Sequence, residues 1–249
     1  MITTVIAMLI AVQGQQQDTN SAPQTSAAQI MTKAFAHYSS AQSLSGTVNM
    51  AQSAKGVTVT IDSDLQFDRP SKIYLHQTRS GSRARQWLLT SDGSLFSYDK
   101  PENNRDFGHT RYTEYVTQHN KAQTIGDMYV ASEYSLGDMN PILDVAIADV
   151  HRLKRLQDQW VSLAYAGKQN IGGQQVEKIT GQYRENARSL ASGEFEAYVN
   201  GAGDFVRYVL YQKISVPGAS NEIIDVTTIW NSSLKVGVQT NPSYYKVVQ

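Results

Sequence analysis

Residues 57–70, VTVTIDSDLQFDRP, constrain this chain more than any other stretch. Val57, Val59, Ile61, Leu65 and Phe67 share one parity, while Thr58, Thr60, Asp62, Asp64 and Gln66 share the other. A period of two predicts a strand with a dry face and a wet face. It ends at Arg69-Pro70, because proline brings no N–H to a ladder. Arg69 has the parity of the apolar residues, and a cation on the dry side of a sheet is costly unless something binds it. Two readings follow. The guanidinium either reaches water past Pro70, or it sits at the mouth of a cavity and donates to helix carbonyls or a ligand.

Turn chemistry at Ala54-Lys55-Gly56, Ser80-Gly81 and Ser91-Asp92-Gly93 separates successive strands at intervals suited to antiparallel hairpins. Before them, Ser26 to Gln42 carries Ile30, Met31, Ala34, Phe35, Tyr38 and Ala41 at helical spacing. Thr110 to Val116 reads as a strand, and Ala122 to Tyr134 has weak helical spacing. Asn140-Pro141 then marks the start of a second clear helix. Its apolar positions, Ile142, Leu143, Ala146, Ile147, Val150, Leu153 and Leu156, cover more than half the circumference of the first two turns. Such a helix is either core or a lid between sheet and ligand. Period-two segments return after Asp158. They contain Val161, Leu163 and Tyr165; Val176 to Gln182; Phe195, Ala197 and Val199; Val206, Tyr208, Leu210, Ile214 and Val216; and Ile224, Val226, Thr228 and Trp230. The layout is helix, sheet, helical insertion, sheet, and residues 26–249 read as one domain.

Lys+Arg and Asp+Glu are both 22, which removes the basic excess that phosphate neutralisation needs and argues against nucleic-acid binding. There is no cysteine, hence no disulfide, thiolate metal site, cysteine nucleophile or lipidated amino-terminal cysteine. The chain has no nucleophile-elbow, zinc-protease or P-loop motif, and Gly201-Ala202-Gly203 lies between strands as a turn. His37, His76, His109, His119 and His151 lack ligand spacing. Neither catalytic residues nor a metal or other cofactor are expected. The apolar run Ile2 to Val12 is too short to span a bilayer, and polar Gln15 to Thr25 follows it. Residues 1–14 therefore read as an export signal and 15–25 as a flexible tether.

Ser43-Leu44-Ser45-Gly46 and Gln52, then Asp64-Leu65-Gln66-Phe67 leading to Arg69-Pro70, then Ser91-Asp92-Gly93 with Phe96, Tyr98 and Pro101, resemble the LolA/LolB/LppX superfamily of periplasmic lipoprotein and lipid carriers, which also includes envelope-stress sensors. The resemblance implies an α+β fold, an unclosed (half) antiparallel β-barrel wrapped around lid helices. It implies that Arg69 bonds the lid and holds it shut. The expected ligand-facing set is Arg69, Leu65, Phe67, Trp87, Leu89, Phe96, Ile142, Leu143, Ala146 and Ile147. The implied function is a non-enzymatic, exported, periplasmic carrier of lipid or lipoprotein acyl chains, monomeric and in transient contact with membranes. The alternative is an envelope sensor or protein-interaction module built on the same fold.

Overall fold

A computed structural model describes residues 26–80, 84–106, 109–132, 140–147, 156–184, 192–215 and 223–247. The expected export signal and tether lie outside the described residues, as do His151 and the segment around Pro217-Gly218.

Helix α1 (Ala27–Ser39) starts at a reciprocal cap. The Ser26 hydroxyl accepts from Gln29 N–H at 3.2 Å, and the Gln29 side chain accepts from Ser26 N–H at 2.8 Å. It ends three residues short of the expected Gln42, because Ser40 caps it and β1 begins at Ser43. Six strands follow: β1 (Ser43–Ala54), β2 (Val57–Asp68), β3 (Lys72–Arg79), β4 (Arg85–Asp92), β5 (Leu95–Asp106) and β6 (His109–Lys121). Helices α2 (Ile125–Ala131) and α3 (Pro141–Ile147) come next. The chain then returns through β7 (Trp160–Ile171), β8 (Gln174–Arg184), β9 (Ser192–Asn200), β10 (Phe205–Ser215), β11 (Ile223–Ser232) and β12 (Lys235–Val236) to a short 3₁₀ helix, Pro242–Tyr245.

All the strand pairs are antiparallel, in the order β6-β5-β4-β3-β2-β1-β11-β10-β9-β8-β7, with β12 also on β1. The end strands β6 and β7 are not paired to each other, so the sheet is an unclosed half-barrel. The helical insertion carries the chain from one end of the sheet to the other, and the second half then winds back to meet β1. Gly46 makes this join feasible. A Cβ there would lie 2.5 Å from the Ser233 carbonyl oxygen, where the β11–β12 connection crosses β1.

The dry parity of β2 becomes the concave face. Ile61, Leu65 and Phe67 join Leu44, Val48, Ile73, Leu75, Trp87, Leu89 and Phe96 in one apolar cluster with the helices. Val57, at the hairpin tip, extends past that cluster and is 61% exposed. From α1 a row of aromatic rings runs across the second half of the sheet: Phe35, Trp160, Phe195, Tyr208 and Trp230, with successive centroids 5.5–5.8 Å apart. His37 bonds the Asp204 carboxylate at 2.8 Å and Tyr38 Oη accepts from Phe205 N–H at 3.1 Å, fixing α1 to the β9–β10 turn.

Three details of the sheet go beyond the alternation read in the sequence. The register of β10 against β9 slips between Phe205 and Arg207, so Phe205 and Tyr208 both face inward and Val206 joins an outer cluster with Val176, Tyr198 and Val209. β5 continues through Pro101 to Asp106, past Phe96–Tyr98 where it pairs with β4; beyond that point it has one ladder neighbour, which tolerates proline. Gln66, on the wet parity, is buried because the carboxyl-terminal segment crosses the outer face. Its amide exchanges two bonds of 2.9 Å with the Asn241 backbone, and Thr90 donates to the Tyr244 carbonyl at 3.3 Å.

The buried phenols make a pH prediction. Burial raises Tyr38 and Tyr208 above their ordinary value of 10.0 and pushes Tyr245 up to about 12. In the unfolded chain these groups ionise from about 10, while in the fold they stay neutral. The unfolded state therefore binds fewer protons above pH 10, and stability falls there by about 1.4 kcal/mol per pH unit for each such phenol. Stability should be insensitive to these groups below pH 10. Phenolate absorbance followed beside far-ultraviolet dichroism should show the last tyrosines ionising only as the fold is lost; smooth ionisation of all 14 tyrosines in a folded protein would contradict this.

Candidate functional site: Arg69 at the helix ends

At the end of β2 the dipeptide Arg69-Pro70 bonds three helical segments. Arg69 Nε donates to the Ala41 carbonyl at 2.9 Å, just beyond the end of α1, and Arg69 Nη2 donates to the carbonyl of Ile147, the last residue of α3, at 3.0 Å. The Arg69 backbone N–H bonds the Gln42 carbonyl at 2.8 Å, and the Pro70 carbonyl accepts from Ile125 N–H at 3.0 Å, at the start of α2. The guanidinium lies 4.9 Å from the centroid of the Phe67 ring. Desolvation lowers its pKa from 12.5. A cation at the carboxyl ends of helices meets orphan carbonyls and the negative end of the dipole, so the charge that is costly on a dry face is matched there.

Helix α3 is short and buried on every side. Asn140 Oδ1 accepts from Leu143 N–H at 3.1 Å, Pro141 takes the first helical position, and all seven residues, Asp144 included, are buried. Tyr129 of α2 donates to Asp144 at 3.1 Å. The helix packs on α1, α2 and β10. Of the expected helix from Asn140 to Asp158, residues 148–155 lie outside the described residues.

The structure brings the ten sequence-derived site residues together. Leu65, Phe67, Trp87, Leu89 and Phe96 on the sheet and Ile142, Leu143, Ala146 and Ile147 on α3 are buried in one cluster, and Arg69 is half-buried at its edge. Ser91 is structural: its hydroxyl lies 2.7 Å from the Ser71 carbonyl and 2.9 Å from that of Leu95, and it accepts from Gly93 N–H. Among the described residues no group of His, Asp and Glu is arranged to hold a metal ion, and no helix is long and apolar enough to cross a membrane.

Sequence reasoning named Trp87 but missed its neighbours Gln77, Arg79 and Arg85 toward the other end of β3 and β4. Arg79 and Arg85 are opposite each other on β3 and β4, and Gln77 and Trp87 are the next inward-facing pair. The signal was present, since Arg79 shares the parity of Ile73 and Leu75, and Arg85 that of Trp87 and Leu89. The Arg85 guanidinium stands 4.2 Å over the Trp87 ring. Burial and the neighbouring Arg79 lower its pKa to about 10, against the opposing pull of Asp99.

No protein-family model matches the chain, and no curated protein matches it. The fold is similar to solved structures at low identity. The lipoprotein LppX of Mycobacterium tuberculosis is 13% identical with a TM-score of 0.44, over 85% of this chain and 95% of that one. A chain of the Pseudomonas aeruginosa MucA/MucB complex is 9% identical with a TM-score of 0.42, over 88% of this chain and 60% of that one. A LolA superfamily protein from Nitrosomonas europaea is 9% identical with a TM-score of 0.32, over 90% of this chain and 99% of that one. These likenesses concern the arrangement of sheet and helices; function rests on the residues above.

Proposed function

We propose that this protein is a non-enzymatic carrier of lipid or lipoprotein acyl chains, in which α3 occupies the space that a ligand chain takes when the latch opens. The observation that carries the reading is the Arg69 arrangement: one side chain from the sheet holds the carbonyl ends of two helical segments over a concave apolar face. A helix buried on every side, with its one acid, Asp144, bonded by Tyr129, needs no water on any face, so its apolar residues and an acyl chain are alternative packing partners for the sheet. Burying six to eight methylenes contributes roughly 5–6 kcal/mol at ~0.8 kcal/mol each, enough for reversible carriage. Export belongs to the same proposal, since a carrier of acyl chains between membranes works outside the cytoplasm, and so does a monomeric, single-domain chain from residue 26 onward.

The second reading, a protein-interaction module, is favoured by a different observation. The β7–β10 part of the sheet holds an open groove of about 340 Å³ with mixed polar and apolar lining, which includes Ser162, Thr180, Gln182, Glu194, Phe195 and Tyr211 and suits a partner segment that brings a cation to Glu194. Native mass spectrometry of the purified protein, before and after organic extraction, separates the two. A co-purifying acyl-chain lipid that can be removed and added back is the expected result. A protein that never takes up lipid, yet captures a basic peptide, would replace the carrier with the module.

A further inference from the structure

We infer that Tyr208 and Trp230, with Trp160 beside them, form a subsite on the concave face that donates hydrogen bonds to a neutral carbonyl oxygen, the ester or amide group at the head of a carried acyl chain; this rests on the carrier reading. Tyr208 on β10 and Trp230 on β11 are directly opposite each other, and Trp160 on β7 joins the row through the Phe195 ring. Tyr208 is 1% and Trp230 2% exposed. Yet neither the phenol hydroxyl nor the Trp230 indole N–H has a hydrogen-bond partner, and the buried Trp160 indole N–H has none either. Buried polar groups are normally bonded, and each one left empty is costly, so three along one row of rings point to a ligand atom that meets them.

The chemistry of the row selects that atom. An indole N–H only donates, and a neutral phenol has one proton to give. Burial raises the Tyr208 pKa, a nearby Trp160 N–H lowers it and Tyr183 raises it; burial dominates, so the hydroxyl keeps its proton. The Trp160 N–H is thus close to the phenol oxygen but short of a formed bond. Closing that gap uses a lone pair of the oxygen and leaves the Tyr208 proton and the Trp230 N–H still to give. The row itself is uncharged. A carboxylate placed on it would be desolvated with no cation in the row to match it, and hydrocarbon would leave the donors empty. A neutral carbonyl has two lone pairs to accept both and carries no charge to bury. The neighbouring strands give the chain its path. Trp230 is opposite Met50 on β1 and Met50 is opposite Ile61 on β2, so two strand spacings, about 10 Å, lead from the donors to the apolar face of Leu65 and Phe67. Helix α3 packs on β10, so a ligand that takes its place meets the strand that carries Tyr208.

Infrared difference spectra of the full chain loaded with methyl decanoate or N-methyldecanamide, each isotope-labelled at its carbonyl, test this, with undecane as the probe that lacks an acceptor. The carbonyl stretch of the bound ester or amide should lie below its value in hexane, as a hydrogen-bonded carbonyl does. In Tyr208→Phe/Trp230→Phe it should return to the hexane value. Affinity of that variant for methyl decanoate, read by displacement of a fluorescent fatty acid, should fall about tenfold, while that for undecane changes by less than about twofold. Tyr208→Phe alone keeps the ring and removes only the hydroxyl, so it should lose part of the shift, which keeps the test decisive if the double variant folds poorly. A shift with the ester alone assigns the subsite to ester-linked chains, and a shift with the amide alone to N-acyl chains. Carbonyls at their hexane frequency in the parent protein overturn the subsite and leave carriage standing. Uptake of none of the three probes overturns both. A shift that survives intact in both variants removes Tyr208 and Trp230 from the contact.

Discussion

Replacing Arg69 by leucine should lower stability by about 2–4 kcal/mol and change acyl-chain exchange by an order of magnitude. Leucine fills part of the stem volume on Phe67 but leaves the Ala41 and Ile147 carbonyls without their donors. A hydrogen bond from a charged donor is worth roughly 1.5–3 kcal/mol, and buried acceptors left empty add to the loss. Arg69→Lys keeps the charge, but one ammonium cannot present two donors in a fixed plane, so it should retain one bond and about half the effect. The measurements are urea unfolding and stopped-flow exchange of a fluorescent fatty acid. Both bonds join sheet to helices, so the exchange rate should move with stability across the parent, lysine and leucine forms. A leucine variant that is less stable yet exchanges at the parental rate would make Arg69 a structural tie and end its role as a latch.

Most of the first half of the sheet was legible because its signals are local. The alternation of β2, the dipeptide turns and the inward parity of Arg69 lie within a few residues, and one hydrophobic face enforces them. The second half was legible in its strands but not in their phase. One irregularity after Phe205 turned Val206 outward, and nothing in VRYVL announces a bulge. Gln66 was unreadable for another reason, since its cover, Asn241, is 175 residues away. The site divides in the same way. Arg69 stood out because proline ended the strand beside it, whereas Arg79 and Arg85 sit at a hairpin end, where a charged residue normally means solvent. That Arg85 lies over the Trp87 ring is a tertiary fact. The carbonyl partners of Arg69 were likewise invisible as distances, and its parity alone left two readings open, water past Pro70 or a cavity mouth with helix carbonyls or a ligand.

Truncating Ile142 to alanine distinguishes a helix that is core from one that yields to ligand. Ile142 is buried in α3 within the apolar cluster. Removing its outer carbons should cost about 2–4 kcal/mol, from lost transfer energy and a cavity that the packed neighbours close only in part. An aspartate at this position would leave an unpaired carboxylate in the core and unfold either kind of protein, so alanine is the informative substitution. If α3 and an acyl chain compete for the same face, weakening α3 must strengthen apparent binding, because less packing is given up when the helix is displaced. Dodecanoate should then bind Ile142→Ala more tightly than the parent. At a hundredfold excess over its dissociation constant the ligand should restore about 2.7 kcal/mol, nearly the whole loss. Thermal melts of both proteins across a ligand series read the two effects together. If α3 is plain core, the variant melts low at every ligand concentration and the parent does not respond either. That pattern would leave the latch intact as a structural feature and remove the carrier function from it.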